Sequence, residues 1–199
     1  MTRLGVLFLL LVSPSLAWAH APFPGIRGFY VGFLHPLTSL SHILLIICTC
    51  LLLGSMAEGK PRQCLAAVGA GASAGILIAM IAGLILSTNP ISIVFAGIMG
   101  ILVVLAWHPD KTWLLMLIAG SAFALGLESL PDPGRFVDVL ITCLGSVAGI
   151  FYLIMYGSRG VYEGLQRWQA GWVRIGVRIA GSWIAAVSCL MLAFQIAVS

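Results

Sequence analysis

A chain of 199 residues that is 61% hydrophobic and only 8% charged, with a mean hydropathy of +1.11, is excluded from the soluble globular class, which runs about 45–50% apolar and about 25% charged. The net charge of +4 does not indicate nucleic acid, because the basic residues stand between apolar runs, where they set orientation in a membrane. Lipid leaves an open backbone unsatisfied, so spanning segments must be helices or strands of a closed barrel. The apolar runs here are long and continuous rather than alternating over about ten residues, so the sequence predicts an all-α polytopic membrane helix bundle.

Residues 1–19 carry the pattern of a secretory signal. Arg3 supplies a positive start, Leu4 to Val12 an apolar core too short to span comfortably, and Ala17-Trp18-Ala19 a small-x-small cleavage site. A signal peptide over 1–19 and a single membrane-embedded helical domain over 20–199 follow, with an uncleaved anchor as the alternative. About six transmembrane helices are predicted beyond it, over 36–56, 64–86, 91–107, 112–130, 136–156 and 179–197, most near the roughly 20 residues a bilayer requires. Turn chemistry separates them at Glu58-Gly59-Lys60-Pro61, Ser87-Thr88-Asn89-Pro90, His108-Pro109-Asp110-Lys111 and Pro131-Asp132-Pro133-Gly134.

With the mature N-terminus outside, Lys60, Arg62, Lys111, Arg159, Arg167, Arg174 and Arg178 face the cytoplasm and only Arg27 and Arg135 lie outside, as the positive-inside rule requires. Between the last two spans, Val161, Leu165, Trp168, Trp172 and Ile175 recur at spacings of four and three opposite Glu163, Arg167, Ala170 and Arg174. That pattern predicts one cytoplasmic amphipathic helix over 159–178, its basic side toward anionic lipid. Gly71 with Gly75, and Gly145 with Gly149, are four apart and mark places where helix backbones approach closely.

Polar groups inside a span are costly and therefore candidates for function. The first span opens with His35-Pro36-Leu37-Thr38-Ser39-Leu40-Ser41-His42. On a continuous helix His35, Thr38, Ser39 and His42 share a face, with His42 roughly 10 Å deeper than His35. Two neutral imidazoles stepped inward from an outer mouth suit a borderline divalent cation; the alternative is a pair of interhelical hydrogen bonds. Glu128, Asp132 and Asp138 fall on the same side, as carboxylates of that mouth or as its solvated rim. His20, as a free N-terminus, pairs an amine with an imidazole. The five cysteines are odd in number and form no disulfide framework. Cys48 and Cys50, two apart on a helix, point in nearly opposite directions and read as packing residues. His108 stands in a solvated turn beside Asp110. Without a His-Glu-x-x-His motif, a phosphate loop or a base for the serines, no enzyme and no permanently bound cofactor is expected.

His20-Ala21 after an alanine-rich cleavage region, Gly32-Phe33-Leu34-His35-Pro36-Leu37, Ser41-His42 and Gly126-Leu127-Glu128-Ser129-Leu130-Pro131 together resemble the HupE/UreJ family of bacterial membrane proteins over essentially the whole mature chain. Where that family usually has glycine and aspartate before the second histidine, this chain has Ser39 and Ser41. A histidine-rich stretch is replaced by Ala122-Phe123-Ala124-Leu125, and a further histidine by Ser146. The resemblance implies an inner-membrane permease for a divalent metal ion, nickel or cobalt, with His35, His42, Glu128 and His20 as metal residues. Membrane lipid and the ion are then the partners. A non-transporting accessory subunit bound to a membrane protein complex is the alternative.

Overall fold

The computed structural model describes residues 28–56, 61–82, 90–168 and 170–198, and all of the regular structure there is helical. The chain forms α1 (Phe29–Leu34), a 3-10 turn (His35–Leu37), α2 (Leu40–Ser55), α3 (Pro61–Ala82), α4 (Pro90–Val104), α5 (Lys111–Leu127), α6 (Phe136–Arg167) and α7 (Gly171–Val198). Helices α3, α6 and α7 are long and apolar enough to cross a membrane. α1 with its 3-10 turn and α2 pass the same test together but are bent by 76°, while α4 and α5 are shorter apolar helices of 15 and 17 residues. The fold is a helical membrane bundle. The predicted signal peptide and His20 lie outside the described residues.

Two expectations are corrected. The first span is broken: Ser39, at φ −113° and ψ 133°, is extended backbone between the 3-10 turn and α2, so His35 and His42 do not share one continuous helix. The segment 159–178 is not one helix either. Its first half continues α6 to Arg167 and its second opens α7 at Gly171, with Trp168 and Ala170 both outside the helices. At about 1.5 Å per residue, α6 is roughly 48 Å long, well beyond a hydrocarbon core of about 30 Å, so its amphipathic end is the protruding tip of a span.

Glycine seams set the packing, as small residues do where lipid tails are no less apolar than the side chains. A Cβ on Gly71 would run into the Ala119 carbonyl, one on Gly75 into the Phe123 carbonyl, and one on Gly126 into the Ala72 carbonyl, so α3 and α5 lie backbone to backbone. Gly145 and Gly149 receive the Phe29 and Phe33 carbonyls in the same way, and Gly32 meets Thr142 and Ser146, seating α1 on α6. Gly100 and Gly181 bring α4 against α7. Both glycine pairs singled out in the sequence are therefore packing positions. Between the helices Leu45, Leu52, Met99, Ile118, Leu125, Ile150 and Ile154 are fully buried, while Ile81, Leu144, Leu190 and Phe194 face outward, as a lipid-facing surface requires.

Candidate functional site

The break after Leu37 decides the site. Pro36 sits in the 3-10 turn, Thr38 Oγ1 folds back to donate to the His35 carbonyl at 2.7 Å, and the Ser39 and Ser41 hydroxyls are 2.7 Å apart. These local bonds compete with helical ones, and the chain turns through 76°. The turn brings the two imidazoles together: their centroids are 5.5 Å apart, edge to face. His42 is 2% exposed, on the first turn of α2.

Glu128 is the C-cap residue of α5, and it gathers the other elements around itself. Its Oε2 lies 2.7 Å from His42 Nε2, with the carboxylate side chain only 9% exposed. Its Oε1 accepts from the backbone N–H of Ser92 at 3.2 Å, on the first turn of α4. Its main-chain carbonyl accepts from His35 Nε2 at 3.1 Å. Glu128 is thus held within the bundle between the His42 ring and the N-terminus of α4, which favours negative charge. Two buried polar atoms near this centre have no partner, His42 Nδ1 and Ser92 Oγ.

Of the residues proposed from sequence, His35, His42 and Glu128 converge. Asp132 and Asp138 are exposed, as a solvated rim is, whereas Glu128 is buried within the convergence. His108 is exposed, whereas Asp110 caps α5 by accepting from the Trp113 N–H at 3.0 Å. All five cysteines are free thiols, and Cys48 and Cys50 are buried in the core, as packing residues should be. Among the described residues no group of three or more His, Cys, Asp or Glu side chains is disposed to hold a metal ion. Ser92 was missed; its one sequence signal is its place just after Pro90, where a helix begins and an N–H is left over for an anion.

Comparison with known proteins settles the kinship. A family model described as HupE / UreJ protein matches residues 7–191, nearly the whole chain. The chain belongs to the HupE/UreJ family. No curated protein and no solved structure matches it. The HupE/UreJ family comprises nickel- and cobalt-related accessory or transport-associated membrane proteins and is not a known enzyme family. His35, His42 and Glu128, three of the residues within the segments that carry the resemblance, meet between α1, α2 and α5.

Proposed function

We propose that this HupE/UreJ protein is a multi-pass permease of the bacterial inner membrane for a divalent metal ion, nickel or cobalt. The observation that carries the proposal is the contact of His42 and His35 with Glu128, which joins three separate elements through the costliest side chains in the bundle. The two imidazoles by themselves make an incomplete coordination sphere, and incomplete ligation favours passage, because a conducted ion must be able to leave. The broken first span has the form by which transporters present ion sites within the membrane. The distribution of basic residues supports an outside N-terminus with Arg159, Arg167, Arg174 and Arg178 on the cytoplasmic side.

The test is uptake of radiolabelled nickel or cobalt into proteoliposomes carrying wild type, His42→Ala or His108→Ala. Wild type should accumulate metal above empty vesicles, His42→Ala should not, and His108→Ala should match wild type. Normal transport by His42→Ala would refute the reading. The lack of a third side-chain ligand in the group favours a second one, an accessory subunit that retains the scaffold without transport. That subunit would co-purify with protein partners and pass no ion.

A further inference from the structure

We propose that Glu128 acts on the transported ion through the two imidazoles rather than as a ligand, by taking the Nε2 hydrogen of each ring and so presenting both Nδ1 lone pairs to the metal. The proposal rests on the metal-pathway reading above and assigns the roles within it.

The hydrogen bonds carry the argument. A carbonyl oxygen can only accept, so the 3.1 Å contact between His35 Nε2 and the Glu128 carbonyl requires the proton on Nε2. Neutral His35 then has its lone pair on Nδ1. His42 Nε2 faces Glu128 Oε2 at 2.7 Å, and a carboxylate likewise only accepts, which puts the His42 proton on Nε2 as well. The opposite placement, a protonated Glu128 donating to Nε2, would leave an Nδ1–H of His42 buried without a partner. Orphaned buried N–H groups are rare and costly, whereas a bare nitrogen lone pair awaiting a cation is what a metal ligand looks like.

Glu128 is poorly placed to ligate directly. The Ser92 N–H takes up one lone pair of Oε1, and the His42 ring one of Oε2. No ion fits within the 2.7 Å between Nε2 and Oε2, since a metal between them would need about 2 Å on each side. The arrangement is instead that of a carboxylate holding the far nitrogen of a metal-binding imidazole, which fixes its tautomer and ring orientation. The rings suit a shared ion. With metal–nitrogen distances of about 2.0–2.1 Å and a tetrahedral angle, two imidazoles on one ion have centroids about 5 Å apart, against 5.5 Å here. Glu128 is thus a positioning residue for both rings, through its side chain for one and its main chain for the other.

The experiment is ¹⁵N NMR of the full-length protein labelled at histidine, in lipid bilayers, without metal and then with zinc as a diamagnetic probe. His35→Gln and His42→Gln variants assign the signals. Without metal, both rings should be protonated at Nε2 and bare at Nδ1. With zinc, the Nδ1 signals should move to the metal-bound range while Nε2 keeps its proton. Glu128→Gln, whose amide carbonyl still accepts, should preserve the His42 tautomer and weaken zinc binding about 10–100-fold. Glu128→Ala should release the His42 tautomer and leave His35, which uses the main-chain carbonyl, unchanged. A His42 ring protonated at Nδ1, or zinc bound at Nε2, overturns the assignment whether or not the protein transports. Rings protonated at Nε2 whose signals ignore zinc would instead overturn the metal-pathway reading, and the role of Nδ1 with it.

Discussion

Replacing Gly149 by alanine adds a single methyl group where α1 rests on α6, and the structure fixes what that methyl must meet. Its three nearest neighbours are the carbonyl oxygen, carbonyl carbon and Cα of Phe33, all backbone, so no side chain can rotate out of the way. Restoring ordinary van der Waals separation requires α1 to retreat by roughly 1 Å. Two residues further on, His35 Nε2 is 3.1 Å from the Glu128 carbonyl, and a retreat of that size takes the bond past the limit of about 3.2 Å. Overpacking of this kind costs about 1–3 kcal/mol. Alanine also gains about 1 kcal/mol of helix propensity over glycine, which would mask part of the loss. Gly160→Ala supplies the reference: it lies on the same helix, has nothing within 4 Å of the added atom, and receives the same gain in propensity. The assay is unfolding by SDS titration in mixed micelles, followed by circular dichroism. Gly149→Ala should be less stable than Gly160→Ala by about 1–3 kcal/mol. Equal stability of the two variants would refute the claim that bare backbone contact seats α1.

Ser188 is fully buried on α7 against Gly97, and its hydroxyl has no partner. Ser188→Ala should therefore stabilise the protein by about 1 kcal/mol in the same titration, and a loss of stability would show that the hydroxyl is bonded. A Cβ on Gly157 would lie 2.6 Å from Cys50 Sγ, so Gly157→Ala should cost about 1–3 kcal/mol alone and little in a Cys50→Ala background. Additive losses in that double-mutant cycle would rule out the contact.

Much of the bundle was legible because lipid makes the signal strong. Continuous apolar runs interrupted by Pro90, by Pro109-Asp110 and by Pro131 to Gly134 placed α4, α5 and the start of α6 within a few residues, and the four-residue glycine spacings identified packing faces. What they could not identify was the partner. Gly145 and Gly149 are visible in the sequence, but nothing there says that Phe29 and Phe33 fill the groove they leave. For that reason the short helix before His35 was not expected. The sequence of 159–178 is amphipathic, yet a periodic pattern does not show that one helix ends at Arg167 and the next begins at Gly171.

The site shows the same division more sharply. His35, His42 and Glu128 could be named from sequence because ionisable side chains in a span are few. Their distances could not, since seven residues on a straight helix separate two histidines by roughly 10 Å, and only the turn at Thr38 and Ser39 brings the rings to 5.5 Å. Each side of the contact is then set by a seam remote from the chemistry. Gly145 and Gly149 fix α1 and with it His35, while Gly126, pressed on the Ala72 backbone two residues before Glu128, fixes the end of α5 and with it the carboxylate. Glu128 is therefore a polar joint between helices whose closest packing lies elsewhere, α5 on α3 and α1 on α6. A hydrogen bond of 2.7 Å between His42 and that joint tolerates far less displacement than an apolar contact does. A methyl group added at Gly149 should therefore disturb the contact of His35 with the Glu128 carbonyl, and one at Gly126 the contact of His42 with the carboxylate, before either disturbs the fold.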